Sequence, residues 1–206
     1  MEDVLDVYHR PRSLTHPLVC MDEMSKQHFQ ETRKPLPPLP GEPERYDSEY
    51  VRNGVSNIFM MFAPLEGWRH ISVTDQRTKI DWAESIKDLV DNHWPEAEKI
   101  TLVMDNLNTH KPSSLYKAFP PEEARRILNR LEIHHTPKHG SWLNMAEIEL
   151  SVLQGQCLNR RIPDQISLKK EVAAWESDRN NQSVVCDWRF NNDEARIKLK
   201  RLYPSI

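Results

Sequence analysis

The chain has 206 residues, a formal net charge of -3 and a hydrophobic fraction of 38%. That length suits one sizeable core, and no apolar run approaches the roughly 20 residues of a membrane-spanning helix, which excludes a helical membrane protein. The acidic balance excludes a wholly basic nucleic-acid coat, yet cations gather in "EEARRILNR", "CLNRR", "SLKK" and "ARIKLKR", which leaves room for local basic surfaces.

The N-terminus carries no charged-then-apolar leader. Cys20, Cys157 and Cys186 are odd in number and widely spaced, which suits free thiols in a reducing compartment. A soluble, cytoplasmic protein is expected.

In chain order, residues 1–15 read as the remnant of a linker. "HPLVCMDEMS" (16–25) reads as a buried strand, and "NGVSNIFMMFAP" (53–64) and "GWRHISVTD" (67–75) as two more joined by a Pro-Leu-Glu-Gly turn, an antiparallel meander. Between the first two strands, 31–49 holds so many prolines that an extended, polyproline-like insertion is expected. Ile80, Ala83, Ile86, Leu89 and Val90 are spaced as one face of a helix. "KITLVMD" (99–105) is too short for a helix and β-branched enough for an interior strand. Strand, helix and strand in succession imply a parallel pairing.

"PPEEARRILNRL" (120–131) opens with prolines and acids and runs to arginines, a favourable helix polarity. "EIHHTP" (132–137) is a fifth strand, and 141–161 and 167–182 are helices with Ser141 and Ser167 as N-caps. A short basic helix ends the chain. The order βββαβαβαα predicts an α/β fold, a mixed five-stranded sheet flanked by helices, as one unit over 16–206.

Asp105 closes an apolar strand, where an unpartnered carboxylate is costly. If the first strand is central, Asp105 neighbours the acids of "CMDE" across a parallel pair. Asp22 and Glu23 must face opposite sides, and alternation alone does not choose between them. On the long helix Glu147 and Glu149 stand about 200° apart, so only one can join the same site. Glu147 shares a polar stripe with Asn144, Ser151 and Gln154, whereas Glu149 is flanked by apolar residues, which favours Glu147. Three such carboxylates repel one another without a hard divalent cation, and two cations about 4 Å apart serve phosphoryl transfer on a polynucleotide.

"CMDE", "LVMDNLNTHK" and "TPKHGSWLNMAEIELSVL" resemble the DDE transposases of the mariner superfamily, in the bacterial insertion-sequence (six-thirty type) branch. The resemblance implies a ribonuclease-H-like catalytic domain with Asp22, Asp105 and Glu147 as the metal-binding and catalytic triad. It also implies two Mg²⁺ or Mn²⁺ ions, strand cleavage at transposon ends and transfer of the freed 3′-hydroxyl to target DNA, typically at TA. Asn106, His110 and Asn144 are expected as DNA-contacting residues or supports of the triad, with Lys138, His139 and Trp142 along the approach and Arg160 and Arg161 on phosphates. Partners implied are DNA, a second copy in an active homodimer and, since helix-turn-helix modules usually precede such a core, a separately encoded one. A bacterial version would associate with the nucleoid.

The plainer readings are a helix cap for Asp105 and solvated or salt-bridged roles for Glu23 and Glu149. His134, His135 and His139 lack a cysteine pair, which disfavours zinc. "KPLPPLP" also fits a polyproline ligand of an adaptor protein, and a DNA-binding remnant that does not cut is the other alternative.

Overall fold

A computed structural model describes residues 1–203 except 34, 35, 43, 44, 46 and 139. Its elements are α1 (Glu2–Tyr8), β1 (Leu18–Glu31), β2 (Tyr50–Ala63), β3 (Trp68–Thr74), α2 (Lys79–Asp88), β4 (Ile100–Met104), α3 (Pro112–Ala118), α4 (Pro121–Asn129), β5 (Leu131–His135), α5 (Met145–Leu153), α6 (Gln165–Asn181) and α7 (Asn192–Lys198). The strands form one mixed sheet in the order β3-β2-β1-β4-β5. β1 pairs antiparallel with β2, β2 antiparallel with β3, and β4 lies parallel to both β1 and β5. No helix among the described residues is long and apolar enough to cross a membrane.

Continuous apolar runs in the central strands follow from burial of both sheet faces. Leu18, Cys20, Ile58, Met60, Phe62 and Val103 pack with α1 and α5, while Val19, Met21, Phe59, Met61, Leu102 and Met104 pack with α2, α3 and α4. The meander and the parallel crossover agree with the sequence reading.

Several local expectations change. Residues 2–8 of the expected linker are helical, and Val4, Leu5, Val7 and Tyr8 are buried in the core. β1 and β2 run well past the expected ends: polar 26–31 pairs with 50–56, His28 reaches Ser56 at 2.8 Å, and Phe29 packs edge-on against Tyr50. The tip of the proline-rich insertion is bridged Leu36 to Arg45 and Leu39 to Glu42, so cross-strand bonds replace a free polyproline run there.

Helix α3 has Pro112 in its first turn, and its seven residues are too few for periodicity to reveal it. The expected 141–161 helix is interrupted: a 3-10 turn at Ser141–Leu143 precedes α5, and Gln154–Leu158 widens into a π turn. Asn144 replaces Ser141 as the cap of α5, and Asp164 replaces Ser167 as the cap of α6.

Candidate active site

Cys20 pairs with Val103 across the parallel β1–β4 ladder. Asp22 stands two residues further along β1 and Asp105 one residue past the end of β4, so the chain brings both acids to the C-terminal end of β4. Glu147 sits in the first turn of α5, the helix packed against β1. Asp22, Asp105 and Glu147 line one cleft of about 410 Å³ together with Asn144, Ser151 and Gln154, the polar stripe read from the sequence.

Electrostatics reflect that convergence. Burial pushes the Asp22 carboxyl up to about 7, the neighbouring Glu23 N–H opposes the rise, and the Asp105, Glu23 and Glu147 charges add to it. Asp22 Oδ1 accepts from the Glu23 amide at 2.8 Å, and Oδ2 accepts from Asn144 Nδ2 at 3.3 Å. The same Nδ2 donates to Met21 O at 2.8 Å, while Asn144 Oδ1 accepts from the Ala146 amide at 3.1 Å. One buried amide therefore orients Asp22 and starts the helix that carries Glu147.

Asp105 is held from the opposite face. His110, fully buried, places Nδ1 2.5 Å from Asp105 Oδ1 and Nε2 2.9 Å from Glu23 Oε2. Burial opposes a charge on this ring, but Asp105 and Glu23 outweigh it and raise its pKa to about 9. The contacts are short but poorly aligned: Asp105 Oδ1, Glu23 Oε2 and His110 Nε2 lack well-directed hydrogen bonds. Asp22, whose charge is opposed first by burial and then by the neighbouring carboxylates, shares one cleft with Asp105 and Glu147, a set of oxygen donors that fits a hard divalent cation.

The remaining expected residues divide. Exposed Asn106 and Lys138 line an adjoining cleft that shares Asp105 and Ser141 with the first. His110 is too deeply buried to contact DNA and instead braces Asp105. Trp142 is 40% exposed and stacks toward Trp188, 6.5 Å between ring centroids, lining neither cleft. His139 lies outside the described residues.

Arg160 and Arg161 line a third pocket with Lys26, Phe29, Tyr50 and Gln154, but each already has an acid: Glu171 for Arg160 and Glu31, at 2.6 Å, for Arg161. Glu149 is buried and paired with Arg69 and Arg179 at 2.8 and 3.0 Å, the salt-bridged option of its plainer reading. The bridge from His110 to Glu23 was not legible in the sequence. Its only signal was an acid beside Asp22 pointing to the face where no cleft was expected.

The family profile for DDE superfamily endonucleases matches residues 17–169. The chain belongs to the DDE superfamily endonucleases. A comparison with curated proteins gave no match.

Among solved structures, this DDE endonuclease is similar to the Mos1 transposase paired-end complex with left transposon end, at 16% identity and a TM-score of 0.59, over 89% of this chain and 56% of that one. The Mos1 mariner paired end complex with Mn gives 17% identity and 0.58, over 89% and 55%. The catalytic domain of Mos1 mariner transposase gives 13% and 0.52, over 93% and 91%. The chain thus spans little more than half the length of the chains in those complexes. The shared architecture is the ribonuclease-H-like fold of the Mos1 catalytic domain, with the mixed five-stranded sheet and its flanking helices.

Proposed function

We propose that the chain is the catalytic domain of a DNA transposase of the mariner superfamily, in its bacterial insertion-sequence (six-thirty type) branch. It cuts DNA at transposon ends and joins the ends to a target. The observation that carries this reading is the convergence of Asp22, Asp105 and Glu147 on one cleft. Membership of the DDE endonucleases supports the chemistry.

In this reading Asp22, Asp105 and Glu147 would hold two Mg²⁺ or Mn²⁺ ions, which would supply activation of a water or 3′-hydroxyl and charge neutralisation at the leaving oxygen of a phosphodiester. The chain's own residues prepare that site. Asn144 fixes the rotamer of Asp22, His110 holds Asp105 against the sheet edge, and the cap of α5 sets Glu147 on the cleft's rim. Lys138 and Asn106 offer a cation and an amide to a DNA backbone beside Asp105, and Lys26, Arg160 and Arg161 extend the polar track past Gln154.

The working complex is a homodimer on DNA, with target joining at TA and with end recognition supplied by a helix-turn-helix domain. It acts in the cytoplasm, on the nucleoid in a bacterium. The test is strand cleavage of supercoiled and transposon-end DNA with Mn²⁺. Nicking that disappears in Asp105→Ala supports the reading, and nicking no greater than in that variant sinks it.

A further inference from the structure

A second set of ligand-type side chains lies outside the carboxylate cleft. His70 comes from β3, Asp88 from the end of α2 and His93 from the end of the π turn Leu89–His93. Five residues apart on a regular α-helix, Asp88 and His93 would point about 140° apart. The widened π turn brings them together, with His93 Nε2 3.0 Å from Asp88 Oδ2. From the neighbouring strand, His70 Nε2 reaches the same oxygen at 3.5 Å. The two imidazole rings lie 4.2 Å apart between centroids, and Trp68 covers them, stacked on His70 and tilted on His93.

We propose that His70, Asp88 and His93 bind one borderline divalent transition cation, of which Zn²⁺ is the type. Ligands around tetrahedral zinc with bonds of 2.0–2.1 Å stand about 3.3 Å from one another, the scale of both Nε2 to Oδ2 separations. One ligand atom from each of the three residues lies within 4.8 Å of those of the other two. Two imidazoles and one carboxylate favour zinc, nickel or copper over magnesium, so this site and the all-oxygen cleft select different ions.

The outer contacts are those of a held ligand set. His70 Nδ1 lies 3.2 Å from Glu176 Oε1, and Glu176 Oε2 in turn accepts from the Ile71 amide at 2.9 Å. Asp88 Oδ1 accepts from Asn92 at 2.6 Å, leaving Oδ2 to face both rings. Carboxylate-to-histidine contacts of this kind orient metal-bound imidazoles and raise their basicity. Ser72 Oγ, 3.4 Å from His70 Nε2, is the one polar group that a cation would have to displace among the contacts described. Side-chain exposures of 23%, 37% and 23% leave an entry path. A bound ion would tie the edge strand β3 to the end of α2, a structural staple away from the cleft.

The test uses the untagged full chain and Co²⁺ as a spectroscopic probe, followed by Zn²⁺ displacement. One equivalent of Co²⁺ should develop visible d–d bands in the wild type and equally in Asp105→Ala, which disables the other clustered His and acid group. Affinity should fall at least about 100-fold in His70→Gln and in His93→Gln. Zn²⁺ should raise the wild-type Tm in proportion to the logarithm of its excess over Kd. Should either variant fail to fold, a zinc-edge anomalous map of wild-type crystals reads the same site directly. Absent bands in the wild type, bands that survive His93→Gln in a folded protein, bands lost in Asp105→Ala, or no anomalous peak among the three residues would overturn the assignment.

Discussion

Asn144 and Asp22 are joined by a 3.3 Å hydrogen bond made by the same buried side chain that caps α5. The position of the strand acid and the start of the helix bearing Glu147 therefore depend on one amide. Asn144→Ala should cost about 1 kcal/mol for the cap and about 1–3 kcal/mol for the unpaired Met21 carbonyl. Asn144→Asp keeps a cap acceptor but places a fourth carboxylate against Asp22. Urea unfolding should rank wild type above Asn144→Asp and Asn144→Ala, and both variants should need more Mn²⁺ for cleavage. An Asn144→Ala protein of unchanged stability and metal requirement would remove the shared role.

His110 offers a sharper stability test. Its replacement leaves the 3%-exposed Glu23 side chain without its cationic neighbour. Removing one member of a buried ion pair costs about 3–5 kcal/mol, so His110→Gln should lower the urea midpoint strongly. Adding Glu23→Gln to that variant should recover part of the loss, because the stranded charge goes with it. Additive losses in the double variant would mean that the two residues are not coupled.

Arg69 and Glu149 form the other buried pair, at 0% and 5% side-chain exposure, and Arg69 also donates to Gly67 O and Val184 O at 2.7 and 2.6 Å. Glu149→Gln should destabilise by about 3 kcal/mol or more. Cleavage per folded molecule should stay at the wild-type level, since Glu149 lines none of the clefts. Loss of cleavage in the folded variant, measured below its unfolding midpoint, would assign Glu149 a place in the active site.

The acid limb of stability should carry the signature of Glu123. Hydrogen bonds from Arg126 and then Lys87 hold its carboxyl down to about 2. Arg126, followed by Lys87 despite opposing burial, holds Asp91 below the carboxylate's ordinary value. A carboxylate with a depressed folded pKa contributes stability that is present above its unfolded value and lost as pH falls toward the folded one. Glu123→Gln should thus lower Tm most near about pH 6, with the gap to wild type closing from about pH 4.5 downward. The effect should shrink in high salt, as exposed pairs do. A gap that stays constant across that range would place the effect elsewhere.

The position of Glu147 on the cleft was legible because a helix sorts its faces by period, and Asn144, Ser151 and Gln154 share its polar stripe. The sheet order followed from short apolar runs separated by a helical crossover. Asp22 against Glu23 was not readable from the strand itself, since alternation places them on opposite faces without naming the cleft side. The structure gives both a neighbour in one small network: Asp22 faces Asn144, and Glu23 faces His110.

Helices α1 and α3 escaped notice because seven residues give barely two turns of pattern, and only tertiary burial of Val4, Leu5 and Leu115 distinguishes them. The break at Asn144 was hidden by apolar residues on both sides of the cap. The partners of Glu149 stand 80 and 30 residues away, a separation no local pattern reports.

The most direct measurement is a manganese-edge anomalous map of crystals grown with Mn²⁺ and transposon-end DNA. Anomalous density is expected between the carboxylates of Asp22, Asp105 and Glu147, abolished in Asp105→Ala crystals. Three carboxylates too far apart for one or two cations to bridge, with no manganese among them in the DNA-bound form, would contradict it.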